Sequence, residues 1–426
     1  MPTKVALTTE TRYQLLLQIS HKVRNTLDVD ETLNLILDTL ETVLDCDAVG
    51  IFILNRPSIY QVQQPTEGVI AGIARRGFDP IPVEEDRMLM LGEGISGYVI
   101  RTGETVIVSD VSQDPRYVVG RQQTRSEIGV PIIQDEQIIG ALNVESDRFN
   151  AFDADDLDVL LFFADAAAIS IEKAMLHRSL LQKQQLDEQL KIASAIQDRL
   201  IPDRAPNLPG YEIGGIYLPA FAIGGDYFDY ISLADGRLGI SLADVSGHGV
   251  PAALVMTAFR ALLRTEVKNG NDSAGVCNRL NTLLPDFTGY DDFVTAVYGV
   301  LNPQDAVFSY TNCGHHPVLC VRVDGGIEQH KVGGPALSIY DRAQFEIGQI
   351  GLRKGDLLIL YTDGLVELAD SDGNEFGRKR LAETLVKLRT SAVNEILEGT
   401  IQAAKAFANA ESIFDDIALL VVRRSD

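Results

Sequence analysis

The run Gly239-Ile240-Ser241-Leu242-Ala243-Asp244 decides the architecture of the second half of this chain. Its apolar residues predict a buried strand, and the strand ends in a carboxylate that a glycine-rich turn follows. Residues 357–363 repeat the arrangement, while in residues 412–420 the acids precede a strand. Because hard divalent cations prefer oxygen ligands and keep several waters, acids placed at strand ends predict a pocket for such ions.

Further strand-like runs and two helical stretches surround this strand. The runs are apolar and often β-branched, and the helical stretches interrupt them. Many strands around two long helical segments predict two sheets stacked between helices, an α-β-β-α sandwich. The predicted strands cover residues 211–218, 237–244, 294–300, 306–312, 317–323, 357–361 and 417–423, and the helical stretches cover 251–267 with 273–284, and 378–408 in pieces.

Eight segments between residues 190 and 424 resemble, in order, the metal-dependent serine/threonine protein phosphatases of the PPM class, in their bacterial SpoIIE/RsbU-like branch. The segments are IASAIQDRLIP, LPGYEIGGIYLPAFAIGGDYFDY, LADVSGHGVPAAL, FVTAVYGVLNP, YTNCGHHP, LILYTDGLVE, NEFG and FDDIALLVV. The resemblance implies two or more Mn²⁺ or Mg²⁺ ions, which Asp244 bridges and the backbone carbonyl of Val245 helps to bind. It also implies that Asp363 and Asp415 hold the ions from the other side, and that Asp226 binds directly or through water. These four aspartates are the expected catalytic residues, since such ions activate water for attack on phosphorus.

Other polar residues of these motifs receive a structural interpretation. Asp229 and Asp416 are expected to support the site and not to bind metal. His248 is expected at a helix start and His315 in a loop that it braces. Ser246 stands where phosphatases of other branches carry a histidine, so the acid that protonates the leaving group stays unassigned. The sequence offers no evident arginine for the phosphate near Asp226.

The first part of the chain alternates helical and strand-like patterns. Helical periodicity covers Leu15 to Ile19 and then Leu33 to Leu44, with a cap at Asp30, and residues 48–54 and 69–74 predict a hairpin around the loop 55–68. Residues 105–108, 125–131 and 138–146 add strands, which predicts an α+β domain with helices on one face of an antiparallel sheet.

Four motifs here, GEGISGYV, VSDVSQDPRYV, RSEIGVPI and IGALNVESDRFNAFDADDLDVL, resemble those of a GAF domain, expected over residues 10–175. The resemblance implies a sensor with either a small-molecule ligand or a filled apolar core. Cys46 lies away from the place of a chromophore anchor and is expected to be a small buried residue.

The pattern from Asp155 to Ile201 is helical and contains neither glycine nor proline. Leu186, Leu190, Ala193, Ile196 and Leu200 follow heptad-like spacing. Residues 176–201 are therefore predicted to form a parallel coiled-coil linker of a homodimer, the alternative being an amphipathic helix packed on its own domain. Prolines that begin at Pro202 end the helix, and the phosphatase domain is expected over residues 202–426.

Composition excludes several classes of partner. The formal net charge of −23 and the isoelectric point near 4.6 argue against binding to nucleic acid or to an anionic membrane. Four scattered cysteines fit reduced thiols in a cytoplasmic protein, and no apolar run is long enough to span a membrane.

The motifs together predict a sensor phosphatase. Its expected substrate is a phosphorylated regulatory protein, an anti-sigma-factor antagonist of the STAS type in a partner-switching pathway. Two alternatives stay open: a catalytically inactive scaffold that binds a partner, and a hydrolase of small phosphate esters.

Overall fold

The computed structural model describes residues 14, 17–19, 21, 28–54, 69–78, 89–90, 92–270, 272–289, 292–409 and 413–425. The chain divides into two compact units, Met1–Gln185 and Leu186–Asp426, which we describe separately.

The first unit is built on one six-stranded antiparallel sheet of order β3-β2-β1-β6-β5-β4. The predicted hairpin is present, because β1 and β2 pair in antiparallel register, and the predicted loop between them lies outside the described residues. The elements are α1 (Val29–Val43), β1 (Ala48–Leu54), β2 (Val69–Arg76), β3 (Leu89–Met90), α2 (Gly94–Thr102), β4 (Val106–Val108), β5 (Ser126–Gln134), β6 (Gln137–Ser146) and the long helix α3 (Ala154–Gln197).

Helices cover both faces of this sheet, so the prediction of helices on one face is wrong. Leu33, Ile36 and Leu37 of α1 and Phe163 of α3 pack with the β5 residue Val130 in one core cluster. Ile95 and Val99 of α2 belong to a second cluster. A Cβ at Gly129 of β5 would lie 3.2 Å from the Val99 side chain, so the missing side chain at Gly129 lets α2 pack closely on the second face.

The N-cap of helix α1 lies two residues before the predicted cap. Asp28 is the N-cap and its side chain accepts a hydrogen bond from the backbone N–H of Glu31, while Asp30 lies in the first turn. Of the helix predicted before it, Leu15 and Leu16 lie outside the described residues, and Leu17 to Ile19 are helical.

Helix α3 continues from the first unit into the second as one 44-residue helix. Its regular hydrogen bonds end at Gln197, and the chain then tightens into a turn in which Leu200 donates its N–H to the carbonyl of Gln197. The predicted helix to Ile201 is therefore slightly too long. Pro202 disfavours helical geometry at Ile201, and the Ile201 side chain turns into the core of the second unit.

The second unit consists of two facing sheets, of order β14-β11-β10-β9-β8 with β15 beside β11, and β13-β12-β16-β17-β7. All seven predicted strands are present. Four further strands, β8 and β13 to β15, went unpredicted. The elements are β7 (Tyr211–Leu218), β8 (Tyr227–Ser232), β9 (Leu238–Val245), α4 (Gly249–Lys268), α5 (Ser273–Leu283), β10 (Val294–Asn302), β11 (Val307–Cys313), β12 (Val318–Val321), β13 (Ile327–His330), β14 (Gly333–Gly334), β15 (Gly348–Gly351), β16 (Leu357–Tyr361), α6 (Asp363–Val366), α7 (Gly377–Leu388), α8 (Val393–Ala408) and β17 (Ile417–Arg424).

Alternating side chains of β16 show how the layers stack. Leu358 and Leu360 join the central cluster with Ile240 of β9 and Phe259 of α4, whereas Ile359 faces the cluster that holds α7 and α8. The order of layers is helices, sheet, sheet, helices, which confirms the predicted α-β-β-α sandwich and the α+β class.

All four cysteines, including Cys46, are buried and form no disulfide. Within the described ranges, no helix combines the length and apolar character needed to cross a membrane.

Candidate active site

Three predicted ligands from different elements line one cavity of about 430 Å³ in the second unit. Asp244 is the penultimate residue of β9, Asp363 begins α6 directly after β16, and Asp415 precedes β17. Val245 also lines the cavity. Strands of both sheets thus deliver acids to one end of the sandwich.

Asp226 does not line the cavity but lies buried close to Asp244. It is 2% exposed, and its Oδ2 atom has no hydrogen-bond partner among the described residues. Burial and the charge of Asp244 raise the pKa of the Asp226 carboxyl well above its usual range. A buried carboxylate oxygen without a donor leaves a coordination position that a cation could fill.

The acids repel one another. Burial, followed by the charges of Asp363 and Asp415, raises the pKa of Asp244 to about 7. Burial and the charge of Asp363 also raise the pKa of Asp415. Such mutual repulsion in a low-dielectric site is relieved when a divalent cation binds.

Asp416, adjacent to Asp415, points away from the cavity and holds the loop that carries Asp226. It is buried, and its carboxylate accepts backbone N–H bonds from Ala220 at 2.8 Å and Gly225 at 2.7 Å. A Cβ at Gly224 would lie 1.7 Å from Asp416 Oδ2, so this close approach requires glycine.

The end of helix α3 holds the same loop from another side. Gln197 donates from its amide nitrogen Nε2 to the carbonyl of Gly224 at 2.7 Å and accepts the Gly224 N–H through Oε1 at 3.1 Å. Gln197 is itself buried. Both backbone hydrogen-bonding groups of Gly224 are therefore fixed by one side chain.

Asp229 is a fully buried structural acid. Arg264 donates to it from Nε at 2.6 Å and from Nη2 at 2.7 Å, in the bidentate geometry that suits a carboxylate, and the Tyr227 hydroxyl also bonds to it. Its carboxylate ties β8 to α4 and is not part of the cavity lining.

His248 and His315, two of the six histidines, have different places. His248 is the N-cap residue of α4, and its ring packs on Phe221. His315 is buried between Thr295, at 2.7 Å from Nδ1, and the carbonyl of Tyr361, at 3.0 Å from Nε2. Since that carbonyl can only accept, Nε2 carries the proton, and burial, with the charge of His316, lowers the pKa of His315 to about 3. His315 therefore braces the ends of two strands as a neutral ring.

His316 is the histidine that lines the cavity, and sequence reasoning gave it no role. Its ring stacks on Tyr361, and burial lowers its pKa. Potential metal-binding atoms of His316, Asp363 and Glu367 all lie within 4.8 Å of one another. These three side chains form a second possible metal-binding group, which shares Asp363 with the predicted ligands.

Lys331 and Arg378 bring positive charge to the cavity lining. Both side chains are exposed and have no ion pair within the part of the chain that the structure describes. The sequence offered no evident arginine near Asp226, and the arginine of the cavity lining, Arg378, comes from a different segment. Arg378 follows the segment NEFG by one residue, a signal that could have found it, whereas nothing in the sequence marks Lys331.

Ser246 anchors the turn after β9. Its backbone N–H donates to the carbonyl of Phe293, and its hydroxyl accepts the Phe293 N–H at 2.9 Å. This position therefore supports the turn and provides no titratable group.

Two family models match the chain. The model of the stage II sporulation protein E family matches residues 234–425, and the model of the GAF domain matches residues 26–172.

Individual relatives align mainly with part of the chain. It is 32% identical over 264 residues to Protein IcfG of Synechocystis, which covers 56% of this chain and 42% of that protein. It is 26% identical over 246 residues to the phosphoserine phosphatase RsbU of Bacillus subtilis, which covers 57% of this chain and 72% of RsbU. The SiaA-PP2C domain of Pseudomonas aeruginosa, at 22% identity and a TM-score of 0.49, covers 57% of this chain and 98% of that chain. The matched region spans less than half of the length of IcfG. Residues 26–172 are thus similar to GAF domains, and residues 234–425 are similar to SpoIIE-type phosphatase domains.

Proposed function

We propose that the protein is a divalent-metal-dependent phosphatase of phosphoserine or phosphothreonine in a regulatory protein, controlled by its GAF unit. One observation carries the proposal: Asp244, Asp363 and Asp415 surround a cavity that also presents Lys331 and Arg378. The acids suit metal ions, and the nearby cations suit the phosphoryl oxygens of a substrate.

The acids fit a divalent cation. The unpartnered Oδ2 of Asp226 and the raised pKa of Asp244 are both signs of carboxylates that lack a positive partner. The predicted ligands are all oxygen atoms, which favours Mn²⁺ or Mg²⁺ over softer ions. Asp226, Asp244, Asp363, Asp415 and the carbonyl of Val245 would hold two or more such ions. When bound, these ions would supply an activated water and neutralise charge on the phosphoryl group.

The other residues of the cavity have roles toward the substrate. Arg378 and Lys331 attract and orient the phosphoryl oxygens, because neither has a carboxylate partner among the described residues. His316 has a pKa lowered by burial and is a neutral donor or acceptor at the cavity wall. It is the candidate to relay a proton to the leaving seryl oxygen, taking up a proton from water at one ring nitrogen as it gives one from the other, the role that the sequence left open.

The wider assignment follows the relatives. RsbU is named a phosphoserine phosphatase, which supports a phosphorylated protein as substrate. In this proposal the substrate is an anti-sigma-factor antagonist of the STAS type in a partner-switching pathway. The GAF domain covers residues 10–175 and takes a small-molecule ligand, and the phosphatase domain covers 202–426. We place the protein in the cytoplasm, since its four cysteines are unpaired.

Residues 176–197, the helical part of the predicted linker 176–201, are proposed to form a dimeric coiled coil. Leu186 and Ile196 of the predicted heptads are 55% and 57% exposed. Leu176, Leu180 and Ile192 are exposed on the same helix. A second copy of the helix would bury this apolar surface.

The test is release of phosphate by the purified full-length chain from a serine-phosphorylated STAS-type protein and from p-nitrophenyl phosphate. We expect turnover of the phosphoprotein with Mn²⁺ or Mg²⁺ and none with EDTA. Asp244→Asn should lower turnover by more than about 100-fold, since even residues that only support metal ligands cost 10–100-fold.

Asp372→Asn is the matched control, because Asp372 is an exposed acid of the same unit whose side chain makes no hydrogen bond in the described structure. It should leave turnover unchanged. Absence of metal-dependent turnover on both substrates would support the inactive scaffold, and turnover of the small ester alone would support the metabolite hydrolase.

A further inference from the structure

Two buried glutamates oppose each other on the sheet of the GAF unit. Glu127 of β5 and Glu145 of β6 are direct cross-strand partners, and they are 3% and 4% exposed. Like charges that face each other across an antiparallel pair destabilise the sheet. Burial raises the pKa of both carboxyls, and for Glu127 the charge of Glu145 adds to the effect.

Asn143, two residues before Glu145 on β6, adds a third buried acceptor to the two glutamates. Asn143 lies opposite Gly129 on one side and Gly50 on the other, so it is the single side chain of its row across these three strands. Asn143 donates from Nδ2 to Glu127 Oε1 at 3.1 Å, and Glu145 Oε1 is 3.5 Å away. Its own Oδ1 is buried and has no hydrogen-bond partner in the described ranges.

Acceptors therefore outnumber donors in this cluster. Thr124 donates its hydroxyl to Glu145 Oε2, and Asn143 supplies the remaining amide donor. No salt bridge involves either glutamate in the part of the chain that is described. The charge of Arg121 acts on Glu145 through space, but its guanidinium pairs with Asp147 through both terminal nitrogens.

The surroundings of the cluster are apolar. A Cβ at Gly50 would lie 2.6 Å from the Phe52 ring and 3.0 Å from Asn143 Oδ1, so the ring and the unpartnered oxygen both lie over this glycine. Ile95 and Val99 of α2 cover Gly129 on the other side. Hydrated metal ions require six or more oxygen ligands or waters, whereas an organic cation can place its apolar part against such walls.

We propose that Glu127, Glu145 and Asn143 form the recognition site for a small organic cation that carries N–H donors, such as a primary ammonium or a guanidinium group. The ligand's N–H groups bond to the carboxylates and to Asn143 Oδ1, and its positive charge offsets their repulsion. Isolated buried carboxylates are otherwise costly. The inference deepens the sensor half of the proposed function by naming the class of ligand.

Thermal unfolding of the full-length chain tests this site with three chloride salts at millimolar concentration. Methylammonium and guanidinium carry N–H donors, and tetramethylammonium has the same charge without them. We expect the first two to raise the melting temperature relative to tetramethylammonium, because a ligand that binds only the folded state stabilises it. Guanidinium is kept far below denaturing concentrations.

Variants identify the residues. Glu127→Gln and Glu145→Gln should abolish the difference between the salts, whereas Glu104→Gln, an exposed glutamate of the same unit, should preserve it. Asn143→Asp keeps the size and adds an acceptor, so it should retain or increase the shift if it folds.

Two results would overturn the proposal: equal responses of the native chain to all three salts, or no response to either N–H cation. In the second case, higher melting temperatures of both glutamine variants would show that the acids are an unliganded source of strain. Because binding is measured without turnover, this proposal and the phosphatase proposal can fail independently.

Discussion

Asp415 and Asp416 are neighbours in sequence, and we predict that their amide variants have opposite consequences. Asp415 is exposed at the cavity and shares its electrostatic field with Asp363. Asp416 is buried and accepts two short backbone hydrogen bonds, from Ala220 and Gly225. Asp415→Asn should therefore remove a metal ligand, and Asp416→Asn should release the loop that carries Asp226.

The magnitude for Asp416→Asn follows from its hydrogen bonds. An asparagine offers one acceptor oxygen, so one of the two short bonds is lost and an N–H group faces a backbone donor. Hydrogen bonds to charged groups contribute about 1.5–3 kcal/mol each, and the surviving bond weakens when the charge is removed. We expect a loss of about 3 kcal/mol in the free energy of unfolding, or about 6–12 °C for a unit of this size.

The substitution Asp416→Asn also removes the repulsion between Asp416 and Asp226, but this gain offsets only part of the lost unfolding free energy. The charge of Asp416 contributes less to the raised pKa of Asp226 than burial and Asp244 do. For Asp415→Asn the balance is reversed, since its Oδ1 can still accept the N–H of Asp416 while the repulsion from Asp363 disappears. In EDTA this variant should unfold within about 0.5 kcal/mol of the native chain, or at higher denaturant.

Urea unfolding in EDTA, combined with turnover in Mn²⁺, separates the two roles. Asp415→Asn should fold normally and lose more than about 100-fold in turnover, and Asp416→Asn should unfold early and lose about 10–100-fold. The reasoning is refuted if Asp416→Asn is as stable as the native chain, or if Asp415→Asn is the less stable variant.

Three further predictions concern the linker, the acids and the dimer. Gln197→Ala should lower the unfolding free energy by about 2 kcal/mol and reduce turnover, since the N–H and the carbonyl of Gly224 both lose their partner. The control is Gln189→Ala at an exposed position, and turnover of Gln197→Ala equal to that of this control would contradict the prediction. In EDTA the chain should be less stable at about pH 8 than at about pH 5, by about 3 kcal/mol from Asp244 alone, because the stability that a folded pKa raised to about 7 provides is fully present below the unfolded pKa and is lost as pH rises to about 7. Asp244→Asn or saturating Mn²⁺ should flatten this profile in urea unfolding, and an unchanged slope would oppose the assignment. Leu186→Asp with Ile196→Asp should convert a dimer into a monomer in sedimentation experiments while Gln184→Asp does not, and a monomeric native chain would exclude the coiled coil.

The parts that the sequence predicted are those in which local pattern and burial agree. Apolar runs such as residues 357–361 became central strands because both of their faces are buried. Leu358 packs into one core cluster, and Ile359 packs into the cluster on the opposite face. The acids at the ends of these strands were predictable for the same reason, since the end of a buried strand fixes where the next side chain lies. Three of the four predicted acids line one cavity, and the fourth is buried beside Asp244.

The parts that the sequence missed depend on contacts between distant segments. Strand β8 was hidden because Tyr227 to Ser232 directly follows the glycine motif and contains the buried Asp229, which its bonds from Arg264 and Tyr227 make tolerable. Strands β13 to β15 are short, and polar residues or glycines fill much of them, so no periodic pattern marks them. His316, Lys331 and Arg378 reach the cavity from separate segments, and no local spacing predicts that they meet.

The loop before β8 connects these two levels, because the same few peptides receive both structural and catalytic constraints. Gln197 holds the N–H and the carbonyl of Gly224, and Asp416 accepts the N–H of Gly225. The next residue is the acid Asp226. A shift of the end of α3 that breaks the Gln197 bonds would leave a buried N–H and carbonyl without partners, which costs about 1–3 kcal/mol for each group. The loop must then move to regain partners, and it carries Asp226 with it. In the proposed mechanism, control of the site by the helix would require no contact between the helix and the proposed metal ligands, only a change in the hydrogen-bond partners of Gly224.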